Sequence, residues 1–136
     1  MADDGESLVG LLEAAVHVVL ERLGRDLADL GLTHGEVNAL AHLDGETSVA
    51  QLLRRTGQRA STLTGIVDRL ERRGLVERAI HPTDRRSFVL RLTPAGETAA
   101  ARVRTAFRAI EDEVRGRVPD RSVAGFRRVV YAFADL

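Results

Sequence analysis

Two strand-forming runs, LVERAI and SFVLRL, interrupt a chain whose other segments have the periodicity of helices. The first run covers residues 75–80 and the second covers 87–92, so only six residues separate them. Two such runs joined by a short stretch with proline and aspartate predict a β-hairpin. The chain is therefore expected to be mainly α with one small β hairpin.

Six helical segments surround this hairpin, four before it and two after it. The first is predicted over about 24 residues and ends at Gly31, because leucine and valine recur every three or four residues along it. The start signals of later helices are Thr33 with Glu36, Ser48 with Gln51, and Thr93 with Pro94, and Pro119 separates the last two helices.

The net charge of the 136 residues is zero, but the charge is unevenly distributed. Residues 1–50 carry a net charge of −8, residues 51–91 carry +6, and residues 92–136 carry +2. All the basic residues are arginines, whose forked guanidinium groups suit phosphate and guanine, although a GC-rich genome would produce the same bias. The basic middle segment indicates a polyanionic partner.

This basic segment contains two short helical stretches, VAQLLRRT and RASTLTGIVDRLERRG, joined around Gly57. The pattern is typical of a helix-turn-helix, and the hairpin that follows makes it a winged helix. The second helix of such a motif lies in the major groove, where short polar side chains reach base edges. Ser61 and Thr62 could alternatively cap this helix. The predicted DNA contacts are Ser61, Thr62 and Thr64 to bases, and Arg54, Arg55 and Arg69 to phosphates.

The hairpin tip carries an acid followed by two arginines, Asp84, Arg85 and Arg86. An arginine at such a tip can enter a narrow minor groove, where the negative potential is enhanced. We predict that Arg86 enters the groove, that Asp84 orients its guanidinium group and that Arg85 contacts phosphate. The alternative is a charged turn that contacts only solvent.

The segments STLTGIVDRLERRGLVER and DRRSFVLRLTPAG resemble the MarR family of bacterial winged-helix regulators, and the resemblance extends over nearly the whole chain. It implies one domain over residues 1–136, with a winged helix-turn-helix over about 32–93 and a helical dimerisation region over about 6–30 and 94–136. Two positions depart from the family pattern. Arg59 stands where serine is common, and Gly65 stands where arginine or lysine is common. Gly65 removes a DNA contact that Arg59 could replace.

The resemblance also implies a homodimer that binds a pseudo-palindromic operator in double-stranded DNA. Apolar stripes too extensive for one subunit to cover agree with this, and the predicted dimerisation residues are Leu8, Leu12, Val16, Phe126, Val130 and Phe133. The family further implies a repressor that a small aromatic or acidic ligand releases from DNA. His17 and His42 are candidates for contacting such a ligand, although a structural histidine is the commoner case.

No enzyme, metal site or cofactor is expected. Cysteine is absent, the four histidines lack paired ligand spacing, and there is no glycine-rich phosphate loop or nucleophile elbow. The acidic start MADDGES differs from a signal peptide and the apolar stretch VHVVL is too short to span a membrane, so a cytoplasmic protein is expected. The alternative function, which Gly65 favours, is a winged-helix protein-interaction module without DNA binding.

Overall fold

The computed structural model describes residues 5–136, so the first four residues of the acidic N-terminal stretch lie outside it. The described chain forms six α-helices and one three-stranded antiparallel sheet. The elements are α1 (Leu8–Asp26), α2 (His34–His42), β1 (Glu46–Ser48), α3 (Val49–Thr56), α4 (Ala60–Arg72), β2 (Val76–Ile80), β3 (Phe88–Leu92), α5 (Pro94–Arg115) and α6 (Asp120–Ala134). This is the expected mainly α fold with a wing.

The predicted start signals act as helix caps. Thr33 and Ser48 each form a reciprocal capping box. The hydroxyl group accepts from the backbone N–H three residues later, and the side chain of that later residue accepts from the backbone N–H of Thr33 or Ser48. Thr93 caps α5 through a bond to the backbone of Gly96, with Pro94 at the first helical position. These local bonds satisfy donors that would otherwise lack partners at each helix start.

The first helix is shorter than the sequence predicts. It ends at Asp26, and a 3-10 turn over Ala28–Leu30 continues the chain to Gly31. Gly31 therefore ends this turn and not α1, and it has the left-handed conformation that glycine adopts without steric cost (φ 60°). The apolar spacing continues through the turn because Leu27 is buried and Leu30 is partly buried against the core.

The sheet contains a strand that the sequence did not predict. The strand order is β1-β3-β2, so the wing strand β3 lies at the centre, with β2 on one side and the short strand β1 on the other. In β1, Thr47 pairs with Leu90 and is completely buried. Its hydroxyl donates to the Asp44 carbonyl over 2.8 Å, which satisfies this buried polar group. Through β1 the base of the wing is connected to the helix-turn-helix.

The core lies between α2, α4, α5 and the sheet. Its completely or nearly completely buried side chains include Leu40, Leu43, Leu52, Leu63, Ile66, Leu70, Leu90 and Val103. The outer faces of α1 and α6 do not contribute to it, and several of their large apolar side chains remain exposed. Among residues 5–136 there is no helix with the length and apolar character needed to cross a bilayer.

Candidate nucleic-acid interface

One face of α4 is buried and the opposite face presents short polar groups. Leu63, Ile66 and Val67 pack into the core, while Ser61 and Thr62 are exposed. The N-cap of α4 is Arg59, whose side chain makes no capping bond, so neither Ser61 nor Thr62 occupies the cap position. Their hydroxyl groups are thus placed where base edges could reach them.

Thr64 lies on the same exposed side, but its hydroxyl group has a partner within the helix. It donates to the Ala60 carbonyl over 2.9 Å. Arg59 lies at the start of the helix and is exposed. Within the described residues Arg59 forms no hydrogen bond or ion pair that would hold its guanidinium group away from a ligand.

The wing tip is a closed turn in which Asp84 contacts Arg86. The Asp84 carboxylate accepts from the Arg86 backbone over 3.0 Å, and its Oδ1 lies 3.7 Å from the Arg86 Nε. The Arg86 side chain is 95% exposed, so its terminal N–H groups point into solvent. Nδ1 of His81 accepts from the backbone N–H groups of Thr83 and Asp84, both over 3.2 Å. The sequence analysis assigned no role to His81, which closes the turn through these two bonds.

Several arginines of the basic segment have partners inside the protein. Arg55 donates to the His42 carbonyl over 2.9 Å and lies 3.1 Å from Asp44. Arg69 donates from Nε to the buried carboxylate of Glu36 over 3.0 Å. For Arg55 and Arg69, phosphate contact stays a prediction, and the geometry gives each a structural role as well. Arg54 is exposed close to the wing, where it borders a cleft with His81.

Glu36 is a buried side chain whose ion pairs the sequence analysis missed. It was predicted only as part of a capping box, which it forms with Thr33. It is also 3% exposed and lies within ion-pair distance of Arg69 in α4 and of Arg73, the C-cap of that helix. The sequence carries no signal of this pairing, because the arginines are more than thirty positions away.

The two candidate ligand histidines lie in different places. His42 is half buried and lines a cleft of about 510 Å³ with Asp44, Arg55 and Arg104. Arg104 donates to the Leu43 carbonyl over 3.1 Å. His17 is exposed on α1 and does not line this cleft. Burial lowers the pKa of His42, the positive charge of Arg55 lowers it further, and Asp44 partly opposes them.

A second cleft lies between α1, α2 and α5. It has a volume of about 330 Å³, and its polar lining residues are His34, Asn38 and Gln58. The side-chain oxygen of Gln58 is buried and has no hydrogen-bond partner among residues 5–136. A buried acceptor of this kind requires a donor from water or from a ligand.

The predicted dimerisation residues line one apolar groove. The groove has a volume of about 590 Å³ and is formed by α1 and α6. All six predicted residues border it: Leu8, Leu12, Val16, Phe126, Val130 and Phe133. Leu8 and Phe126 are more than 60% exposed, which is unusual for large apolar side chains that form one continuous patch.

The geometry defines a winged helix-turn-helix with an exposed recognition helix and an arginine-tipped wing. The family model "MarR family" matches residues 30–87, which are the helix-turn-helix and the first part of the wing. The resemblance to MarR-family winged-helix transcription regulators is thereby confirmed.

Two bacterial regulators have related sequences in this region. The HTH-type transcriptional regulator YfiV of Bacillus subtilis is 35% identical over 65 residues, and a regulatory protein for the hcr operon of Thauera aromatica is 37% identical over 60 residues. These matches cover 48% and 44% of this chain. They span only 41% and 36% of the relatives' own lengths. These relatives are transcription regulators and not enzymes.

Solved structures share the fold over almost the entire chain. CouR from Rhodococcus jostii RHA1, bound to p-coumaroyl-CoA, has a TM-score of 0.81 and 25% identity, covering 94% of this chain and 92% of CouR. BpsR from Bordetella bronchiseptica, whose DNA binding is regulated by 6-hydroxynicotinic acid, has a TM-score of 0.79 and 21% identity, covering 100% and 99%. The fold is that of MarR-type regulators.

The lowered pKa of His42 makes folding stability depend on pH. Below the ordinary value of 6.5 the unfolded chain binds a proton that folded His42 resists, so stability is lost as the pH falls through this range. His42→Gln should remove the part of this acid-induced loss of stability that comes from His42. The check is the urea unfolding midpoint of both proteins at about pH 7.5 and about pH 5.5. Wild type should lose more stability than the variant on acidification, and equal losses would contradict the assignment.

Proposed function

We propose that this protein is a homodimeric, cytoplasmic DNA-binding transcription regulator, and that it acts as a repressor which a small ligand releases from DNA. The observation that carries the proposal is the exposed polar face of α4 beside an arginine-tipped wing. In a winged helix, the helix at the position of α4 enters the major groove, and the wing reaches the DNA backbone or the minor groove. The partner is then double-stranded DNA with a pseudo-palindromic operator.

Dimerisation is supported by the groove between α1 and α6. A second copy of the chain would cover this apolar surface, and a two-fold dimer would place two recognition helices on successive half-sites. A monomer contacts only one half-site, so it lacks the additional affinity that a dimer obtains by binding two half-sites at once. Dimerisation and operator affinity are therefore expected to be lost together.

Val16→Asp places a carboxylate in the apolar groove and should convert the dimer into a monomer. Val16 is 45% exposed in a single subunit, so the monomer itself should fold. The measurement is sedimentation velocity at micromolar concentration together with operator binding. Glu13→Gln is the control, since Glu13 is exposed on α1 and does not border the groove. If the Val16→Asp protein remains dimeric, the groove between α1 and α6 is not the dimer interface.

Ligand release is supported by the two clefts, which favour different contacts. The cleft of His42 is lined by Asp44 and by the guanidinium groups of Arg55 and Arg104, each of which has a further N–H to offer a carboxylate besides its bond to a backbone carbonyl. The cleft of Gln58 is more apolar and offers one acceptor without a partner among the described residues. Gln58 directly precedes the recognition helix segment, so a ligand donor that binds it would act close to the DNA-binding surface. We propose that the His42 cleft binds a small acid, and the Gln58 cleft is the alternative binding site. His17 remains a proposed ligand contact only for a ligand that reaches the outer face of α1.

Two probes can test ligand release, 6-hydroxynicotinic acid and p-coumaroyl-CoA. Each would be titrated into the complex of the protein with a fluorescent duplex from its own upstream region. The expected result is a fall in anisotropy with at least one of them. Arg104→Gln should weaken this response if the acid binds beside His42, and Gln58→Leu should weaken it if the second cleft binds. Release that neither variant changes would contradict both sites.

The alternative function is a protein-interaction module without DNA binding. Gly65 favours it because glycine leaves the middle of the recognition helix without a side chain of its own. The two functions differ in one measurement, which is binding to the protein's own upstream duplex. Absence of binding at low salt would contradict the regulator and favour the module.

The wing makes a quantitative prediction. Arg86→Ala should cost about 1–3 kcal/mol per half-site, because it removes a charge-assisted contact in the minor groove. Asp84→Ala should cost less, because it removes only the group that orients Arg86. Arg85→Ala should lower the salt slope of binding by about one per subunit and weaken all sequences equally.

Operator affinity at several salt concentrations measures these effects, and circular dichroism checks that each variant folds. A hairpin tip contributes little to the core, so all three variants should unfold as wild type does. Wild-type affinity in a dimeric Arg86→Ala protein would mean that the tip is only a solvated turn.

A further inference from the structure

Glu36 is a buried carboxylate in the middle of the helix-turn-helix. It is 3% exposed, and each of its oxygens has a partner. Oε2 accepts from the backbone N–H of Thr33 over 3.0 Å, and Oε1 accepts from Arg69 Nε over 3.0 Å. Burial of a carboxylate is costly unless charge partners and hydrogen bonds compensate it. The capping role alone does not require a charge, because Gln51 performs the same role at the start of α3.

The guanidinium group of Arg69 extends back along α4. Side chains in a helix cover the turn that precedes them, so Arg69 lies over position 65. There Nη1 would be 3.4 Å from a Cβ atom built on Gly65. The absence of a side chain at Gly65 thus leaves the space that the Arg69 group occupies. Ser61, Gly65 and Arg69 are spaced four residues apart, and so they follow one side of the recognition helix.

Only one edge of the Arg69 guanidinium is used inside the protein. Its Nε bonds to Glu36, and within the described residues no bond holds its two terminal nitrogens. The side chain is 44% exposed. A guanidinium group that is held at Nε, with the N–H donors of both terminal nitrogens free, has little rotational freedom left, which lowers the entropic cost of a second, directed contact.

We propose that Glu36 is a positioning residue for operator recognition, which holds Arg69 over Gly65 so that its terminal N–H groups face the DNA. This inference rests on the proposed function and assigns a role to three residues together. Glu36 supplies the anchor, Gly65 supplies the space and Arg69 supplies the contact. Lysine could not replace Arg69, because one ammonium group has no rigid fork to join Glu36 and DNA at fixed geometry.

The decisive variant is Glu36→Gln, which keeps a capping side chain and removes the charge. Arg69 and Arg73 are both more than 40% exposed, so they can turn toward water and the fold should survive. Operator affinity should fall roughly tenfold to a hundredfold, the range of a single arginine contact to DNA. Affinity for an unrelated duplex should change by less than about twofold, because the arginine charge that attracts phosphates remains.

Arg69→Lys should reproduce the loss of operator affinity with an unchanged salt slope. Arg69→Met should lower the affinity and also reduce the slope by about one per subunit. Arg72→Lys is the matched control, since Arg72 is exposed on the same helix and keeps its charge in this variant. It should bind operator within about twofold of wild type. Gly65→Leu should resemble Glu36→Gln, because a larger side chain displaces the guanidinium group.

A second measurement separates this inference from the proposed function. In wild type the Arg69 Nε–H should give an NMR signal protected from exchange with water, and Glu36→Gln should remove that protection. If wild type binds no DNA, the proposed function fails and the NMR signal still decides whether Glu36 holds Arg69. If Glu36→Gln and Arg69→Lys bind the operator like wild type, the positioning role is wrong. If Arg69→Met leaves the salt slope unchanged, Arg69 only joins α4 to α2 and does not face DNA.

Discussion

Burial of α2 between α4 and α5 is the constraint on which the rest of the structure depends. Val37, Ala39, Leu40 and Leu43 of this segment are all at most 6% exposed, so α2 is apolar on more than one side. A helix of this kind needs partners around it, and α4 and α5 provide them. Gly35 leaves room for Ile66 of α4, since a Cβ atom at position 35 would lie 2.7 Å from the Ile66 Cδ1 atom. The recognition helix is therefore held by the same element that holds the long helix α5.

The local features of the fold could be predicted because short-range chemistry determines them. The capping boxes at Thr33 and Ser48 and the Thr93-Pro94 start are set by bonds over three residues. Strand β1 could not be predicted, because three residues after Gly45 give no alternating pattern. It forms only when β3 offers it a partner more than forty positions away, with Glu46 opposite Arg91. The end of α1 was also missed, since a 3-10 turn and an α-helix bury leucines at similar spacing.

In the candidate DNA-binding site, too, local features could be predicted from the sequence and long-range contacts could not. The exposure of Ser61 and Thr62 follows from the burial of Leu63 and Ile66 on the other side of α4. The apolar spacing in the sequence was therefore enough to predict which side of α4 is exposed. The internal partners of Arg69 and Arg73 could not be known, because they lie more than thirty positions away along the chain. Arg73 donates to the carbonyls of Leu30 and Gly31, and Arg69 donates to Glu36, yet both look in the sequence like the exposed Arg72.

These internal arginines change how charge in the basic segment is interpreted. A net charge of +6 over residues 51–91 suggests many phosphate contacts, but part of it compensates Asp44, Glu46 and Glu36 of the acidic first segment. The two segments carry opposite charge partly because they pack against each other. Arg73 binds the carbonyls that end the turn after α1, and 3.9 Å separates it from Glu36. Arg73 thus joins the turn after α1 to Glu36, the buried carboxylate that also pairs with Arg69 of α4. A shift of α1 relative to α4 would have to break or stretch these bonds, which gives the proposed dimer a direct physical link to the orientation of its DNA-binding surface.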